Sequence, residues 1–138
     1  MMEKVVIDTN VLVSALLSKQ EDSATVKVIG MLLEGKLITI ATEGILREYG
    51  EVLRRRKFGF PEDAVAVLME EIRRTAVIIE PEATDEELPD EKDRPFYDAM
   101  MAESDAVLIT GNLRHFPSNE RIMSARTFIE SRQASQNT

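Results

Sequence analysis

The sequence predicts an α/β fold: a three-layer α/β/α sandwich around a mostly parallel central sheet. Three observations predict it. Short β-branched apolar runs recur without polar alternation, as in strands covered on both faces. Helical patterns separate those runs, and strand–helix alternation is the pattern of a parallel sheet. The length, 138 residues with 43% hydrophobic and 30% charged, suits one domain with one core.

Taken in order, Val5-Val6-Ile7 is the first strand and ends at Asp8. Asn10 to Leu17 is a short apolar helix. Ser23 caps a second helix that stops at Gly35. Leu37 to Ala41 is the second strand, after which Thr42 caps a helix running to about Lys57. Pro61 opens a helix reaching Arg74, and Ala76 to Ile79 is the third strand. Pro95 opens a helix to about Glu103, Ala106 to Thr110 is the fourth strand, and Arg121 to Met123 is a weaker fifth. Ser124 caps a last helix that frays into the polar tail SRQASQNT. The expected division is a folded domain over 1–132 and a polar C-terminal tail over 133–138. Met31, Met69, Met100 and Met101 fall at positions read as buried in helices, as core or as part of a dimer face.

Composition narrows the chemistry. The absence of Cys excludes disulfides, thiolate nucleophiles and Cys-based zinc or iron–sulfur sites, and the single His, His115, excludes mechanisms needing two imidazoles. Carboxylate is plentiful, with 25 Asp and Glu against 17 Lys and Arg and a net charge of −8. That charge opposes non-specific adhesion to nucleic acid or an anionic membrane. It is unevenly placed, because EPEATDEELPDEKD from Glu80 to Asp93 holds eight of the acids and one Lys. Such a long connection without apolar pattern is either a solvated acidic loop or functional. No run has the length of a membrane span, and Asp8 interrupts the start where a signal peptide needs apolar residues. A cytoplasmic protein without a membrane partner is expected.

In an open α/β sheet, ligands bind in the crevice outside the carboxyl ends of the strands. Asp8 lies at such an end, either as a site residue or as the N-cap of the following helix. Glu48 falls at the flank of the buried stripe of its helix, about 40° beyond Val52, where it points to solvent or into a cleft. Asp93 precedes Arg94-Pro95, where capping is the alternative role, weakened because Pro95 has no N–H. Asp98 sits in the apolar run Phe96 to Ala102 and needs a cation or an Arg partner. On ideal helical geometry it points about 140° away from Asp93. Asn112 follows the fourth strand, as a site residue or as part of a Gly-Asn turn. Three carboxylates within about 4 Å of one another repel by roughly 4 kcal/mol per pair at an effective dielectric of 20. A cluster of that kind persists only protonated or around a hard cation, and oxygen-only ligands favour Mg²⁺ or Mn²⁺.

VVIDTNVLVSALL, ILREYGEVLRRRKF and DRPFYDAMMAESDAVLITGNLRHFP, in that order over nearly the whole chain, resemble the PIN-domain family, in the subgroup of toxins from bacterial and archaeal toxin–antitoxin pairs. The resemblance implies an α/β/α sandwich and a Mg²⁺- or Mn²⁺-dependent endoribonuclease. It makes Asp8, Glu48 and Asp93 the clustered acids that hold the metal, with Thr110 and Asn112 in the motif after the fourth strand. Asn112 stands where many members have a fourth Asp, which weakens or removes a second cation. Asp98 resembles an extra acid of some members and ranks below the other three. Arg54, Arg55, Arg56 and Lys57 end the helix of Glu48, either to suit its dipole or as a phosphate-binding edge, with Arg114 and His115 similarly placed beside Asn112. His115 is read as orienting RNA or packing on Phe116. The resemblance also implies an RNA substrate, a cognate antitoxin over the site and a homodimer. Two rivals remain at this stage. One is a phosphoryl-transfer domain using Asp8, which needs a second Asp where Asn10 stands; the other is a catalytically weakened binding module.

Overall fold

The structure, a computed structural model, describes residues 2–136, with side chains described through Gln133. In chain order the elements are β1 (Glu3–Ile7), α1 (Thr9–Leu17), α2 (Ala24–Leu33), β2 (Leu37–Ala41), α3 (Glu43–Leu53), α4 (Glu62–Thr75), β3 (Val77–Ile78), α5 (Arg94–Ala102), β4 (Val107–Ile109), β5 (Ile122–Met123) and α6 (Ala125–Gln136). All five strands are parallel, in the order β3-β2-β1-β4-β5. Helices cover the sheet: α5 packs on β1, β2 and β4, while α2 packs on β2, α1 and α6. This is the expected α/β sandwich. The chain builds outward from β1 to β3, then returns to β1's other side with β4, so the order reverses between β1 and β4. There Ile7 is in register with Ile109, and the two carboxyl ends open one crevice.

Burial explains the unalternating sequence of the central strands. Val5, Val6, Ile7, Leu108 and Ile109 are all buried, so neither face of these strands tolerates polar residues. β3 departs from this expectation. It has two residues, pairs only with β2 and is exposed at Val77 (43%) and Ile78 (42%), so it is an edge rather than a doubly covered strand.

Two contacts dock α3. The Thr42 side chain accepts from the Ile45 N–H at 3.0 Å and starts the helix, and the buried Tyr49 hydroxyl donates to the Ile7 carbonyl at the end of β1. The helix stops at Leu53, short of the expected Lys57. Arg54 leaves it, donating to the Gly50 carbonyl at 3.3 Å and to Glu62 on α4 at 2.9 and 3.0 Å. The following turns end at Gly59, whose φ of 65° an L side chain rarely adopts.

Met100 is in the core and Met31 and Met69 pack against it, but Met101, read as buried, is 37% exposed. The last helix expected after Ser124 is present, but its expected fraying into the tail from Ser131 is corrected, because α6 continues to Gln136; Asn137 and Thr138 of the tail lie outside the described residues.

A cation braces the chain between α5 and β4. Arg121 Nη1 lies 2.9 to 3.3 Å from the carbonyl oxygens of Met100, Glu103, Ser104 and Ala106. Hydrogen bonds from a charged donor contribute about 1.5–3 kcal/mol. Arg121→Met is therefore expected to lower unfolding stability by about 2 kcal/mol in urea titration with the fold retained; an unchanged midpoint would remove the brace from the account.

Candidate metal centre

Asp8 continues β1 by one residue: its N–H donates to the Ile109 carbonyl at 2.9 Å. It stands at the N-cap position of α1, yet its side chain makes no cap hydrogen bond. Its Oδ2 instead accepts from Thr110 Oγ1 at 2.8 Å and Asn10 Nδ2 at 3.4 Å. The residue is 5% exposed. Burial pushes its pKa up to about 6, with the charges of Asp93 and Glu48 adding to the rise and the Thr110 hydrogen bond opposing it. Asp8 is thus a nearly buried acid with two acidic neighbours and, among the described residues, no cationic partner.

Glu48 is half-buried on α3, and the Thr9 hydroxyl donates to its Oε2. The adjacent Tyr49 hydroxyl is pushed far up, by burial first and then by the charges of Asp8 and Glu48. Both acids therefore act on the same buried group. Asp93 precedes α5 and, like Asp8, makes no side-chain cap bond. Its Oδ2 lies 2.9 Å from His115 Nδ1. Burial pushes the Asp93 carboxyl up and the His115 contact pulls it down. His115 is thus turned to an acid, rather than engaged only with Phe116.

The turn after β4 ties these pieces together. Thr110 is fully buried, donates to Asp8 and accepts from the Asn112 N–H at 3.0 Å. Asn10 bridges Asp8 to the Gly111 N–H at 3.1 Å, and a Cβ on Gly111 would meet Asn10 Oδ1 at 3.4 Å. Asn112 itself is exposed, engaged here through its backbone.

Thr9, Asn10 and Asp90 are additions to the expected set. Thr9 and Asn10 were legible as immediate neighbours of Asp8. Asp90 carried no signal beyond its acidic segment. Among the described residues, the trio whose ligand atoms all lie within 4.8 Å of one another is Asp90, Asp93 and His115; the expected trio of Asp8, Glu48 and Asp93 does not close to that distance, and those acids meet through their charges.

Asp98 has other partners. Its Oδ1 accepts from Thr84 Oγ1 at 2.6 Å and Thr84 N–H at 3.3 Å, and stands 3.7 Å from Arg94 Nη1. Arg94 donates to the carbonyls of Thr84 and Glu86 and pairs with Glu91. Asp98 therefore anchors the acidic segment instead of joining the Asp8 carboxylate. Leu88, buried in the core, pins the same segment. Of the expected phosphate contacts, Arg54 is committed to Glu62 and Arg55 lies 4.0 Å from Glu51. Arg56 is exposed, as is Arg114 beside Asn112.

The donor set suits a hard divalent cation. Oxygen donors dominate, and a positive ion would relieve the burial and mutual repulsion that raise the Asp8 pKa.

A family model described as PIN domain matches residues 4–114. An uncharacterized protein of Methanocaldococcus jannaschii is 31% identical over 112 residues, covering 79% of this chain and 70% of that protein. No solved structure matches significantly. The matched span contains Asp8, Glu48, Asp93 and Asn112 and ends before β5.

Two predictions follow from these contacts. A carboxyl whose folded pKa is raised contributes stability below its unfolded pKa near 3.8, and that contribution is lost as pH rises through about 6. In EDTA, Asp8→Asn is expected to unfold at higher urea than wild type at pH 8, by up to about 3 kcal/mol, with the gain vanishing by pH 4; equal midpoints at pH 8 would contradict the buried charge. Asp98→Asn is expected to speed limited proteolysis between Glu80 and Arg94, and unchanged cleavage there would show that the anchor is dispensable.

Proposed function

Because the chain belongs to the PIN-domain family, whose members are generally metal-dependent nucleases, we propose that it hydrolyses RNA phosphodiester bonds with Mg²⁺ or Mn²⁺, as the toxin of a toxin–antitoxin pair. The observation that carries this reading is Asp8: an acidic residue only 5% exposed at the β1–β4 switch, under the charge of Asp93 and Glu48. Asp8, Glu48 and Asp93 would hold the ion. A hard divalent cation supplies charge neutralisation at a phosphodiester oxygen and acidifies a water for attack on phosphorus.

The remaining roles fall to the chain's own groups. Thr110 and Asn10 both hold Oδ2 of Asp8, which leaves Oδ1 as the donor to a cation. Thr9 holds one oxygen of Glu48 in the same way. His115 sets Asp93 through Nδ1, keeping Nε2 for substrate. Asn112 contributes no charge, which favours one tightly held ion over two. Arg114 and Arg56, both exposed, are the proposed phosphate contacts beside the site and on the turn after α3.

A protein partner is part of the proposal. Leu33 and Val67 are 51% and 66% exposed and line a groove with Leu16, Ile29 and Pro61. A cognate antitoxin covering the crevice and this groove, and a homodimer of the chain, are the proposed assemblies. No helix among the described residues is long and apolar enough to cross a membrane.

In a fluorogenic RNA assay with Mn²⁺, Asp8→Asn and Glu48→Gln are each expected to lower the cleavage rate by about 100-fold or more, and EDTA to abolish it. Wild-type rates from Asp8→Asn would overturn the reading.

A further inference from the structure

Beside the acid pocket lies a cleft with the opposite character. It has a volume of about 490 Å³ and lies between α1, the start of α2, the turn after β4 and the start of α6. That size fits within the range of small-ligand sites. It shares Asn10, Thr110, Gly111 and Asn112 with the surroundings of Asp8, so its inner wall is the hydrogen-bonded turn that holds the carboxylate. A second cleft of about 400 Å³ continues past Asn112 to Arg114 and His115. In a chain with 25 acids, no acid among the described residues lines either cleft.

We infer that the larger cleft is a ribose-phosphate subsite for the nucleotide flanking the cleaved bond, and that it gives the preference for RNA over DNA. This rests on the nuclease reading above and names how the substrate is recognised. The lining chemistry selects the ligand. Ser14, Ser23, Thr25 and Asn112 present hydroxyl and amide groups and Arg126 presents the charge, whereas the Ser124 hydroxyl is committed to Thr127 at the start of α6. The Ser23 hydroxyl accepts from the Val26 N–H, which leaves its proton to donate to a ligand. Arg126 pairs with Glu130 at 2.9 Å, but at 82% side-chain exposure that pair is weak and yields to a phosphate. No aromatic side chain among the described residues lines the cleft, so they offer no stacking platform for a base. Hydroxyl and amide groups that both donate and accept are suited to a 2′-hydroxyl, the group that tells RNA from DNA.

The test uses two small probes without a cleavable internucleotide bond, adenosine 3′,5′-bisphosphate and its 2′-deoxy counterpart. Each is titrated in EDTA into the full chain while backbone amides are followed by NMR. Expected are saturable shifts at Thr25, Gly111 and Arg126, with the ribonucleotide bound about fivefold more tightly, as one added hydrogen bond allows. Arg126→Glu is expected to weaken both probes. Ser14→Leu, at an exposed helical position that tolerates Leu, is expected to fill the cleft and abolish binding with the unfolding midpoint unchanged. Shifts confined to Arg54–Lys57, equal affinity for the two probes, or undiminished binding by Ser14→Leu would overturn the inference. Parallel RNA cleavage assays separate the two readings. Binding as described without any cleavage sinks the nuclease and leaves the subsite standing, whereas cleavage without this binding sinks the subsite alone.

Discussion

One constraint organises this molecule: a carboxylate, Asp8, is held almost out of water at the centre of a parallel sheet with acids for neighbours. Burial there follows from topology. β1 is the middle strand, flanked by β2 and β4, so the residue that leaves its carboxyl end emerges between packed elements. Folding alone would favour a neutral residue, because ionised Asp8 costs stability at neutral pH. The surroundings reduce that cost only in part, through Thr110 and Asn10. A bound cation would offset that unbalanced negative charge, in keeping with the metal-dependent nuclease character of the family.

The other acids divide according to what neutralises them. Asp98 is buried like Asp8, but Thr84 and Arg94 satisfy it, and its work is to tie down the segment that leads to Asp93. Asp93 sits between these cases, partly buried and touched by His115. The acidic Glu80–Asp93 connection is thus not simply a solvated loop. Arg94, Asp98 and the buried Leu88 hold it against the body of the domain, which places Asp93 at the start of α5.

How much of this was legible in the chain depends on the range of each interaction. The parallel sheet was readable because Val5-Val6-Ile7 and the run ending at Thr110 lack alternation, a local trace of burial on both faces. The position of Asp8 followed from the same run. The capping alternative for Asp8 and Asp93 needed coordinates, since an N-cap residue is recognised by type whether or not its side chain makes the bond. The early end of α3 was hidden because Arg54 is a good helix former whose partner, Glu62, lies on the next helix. The Thr84–Asp98 bond joins positions 14 residues apart through a segment with no periodicity. β3 looked like its neighbours because exposure at a sheet edge depends on strand order, which a short apolar run does not encode. The cleft at Ser14 and Arg126 was invisible because α6, from the far end of the chain, packs on α2 only once the domain has folded.

The central claim is that Asp8 is a cation ligand. Titrating the full chain with Mn²⁺ while following the free ion by electron paramagnetic resonance tests it directly. Expected is a saturable site in the wild-type protein that Asp8→Asn weakens by about tenfold or more. Full-affinity Mn²⁺ binding by Asp8→Asn, or none by the wild type, would contradict it.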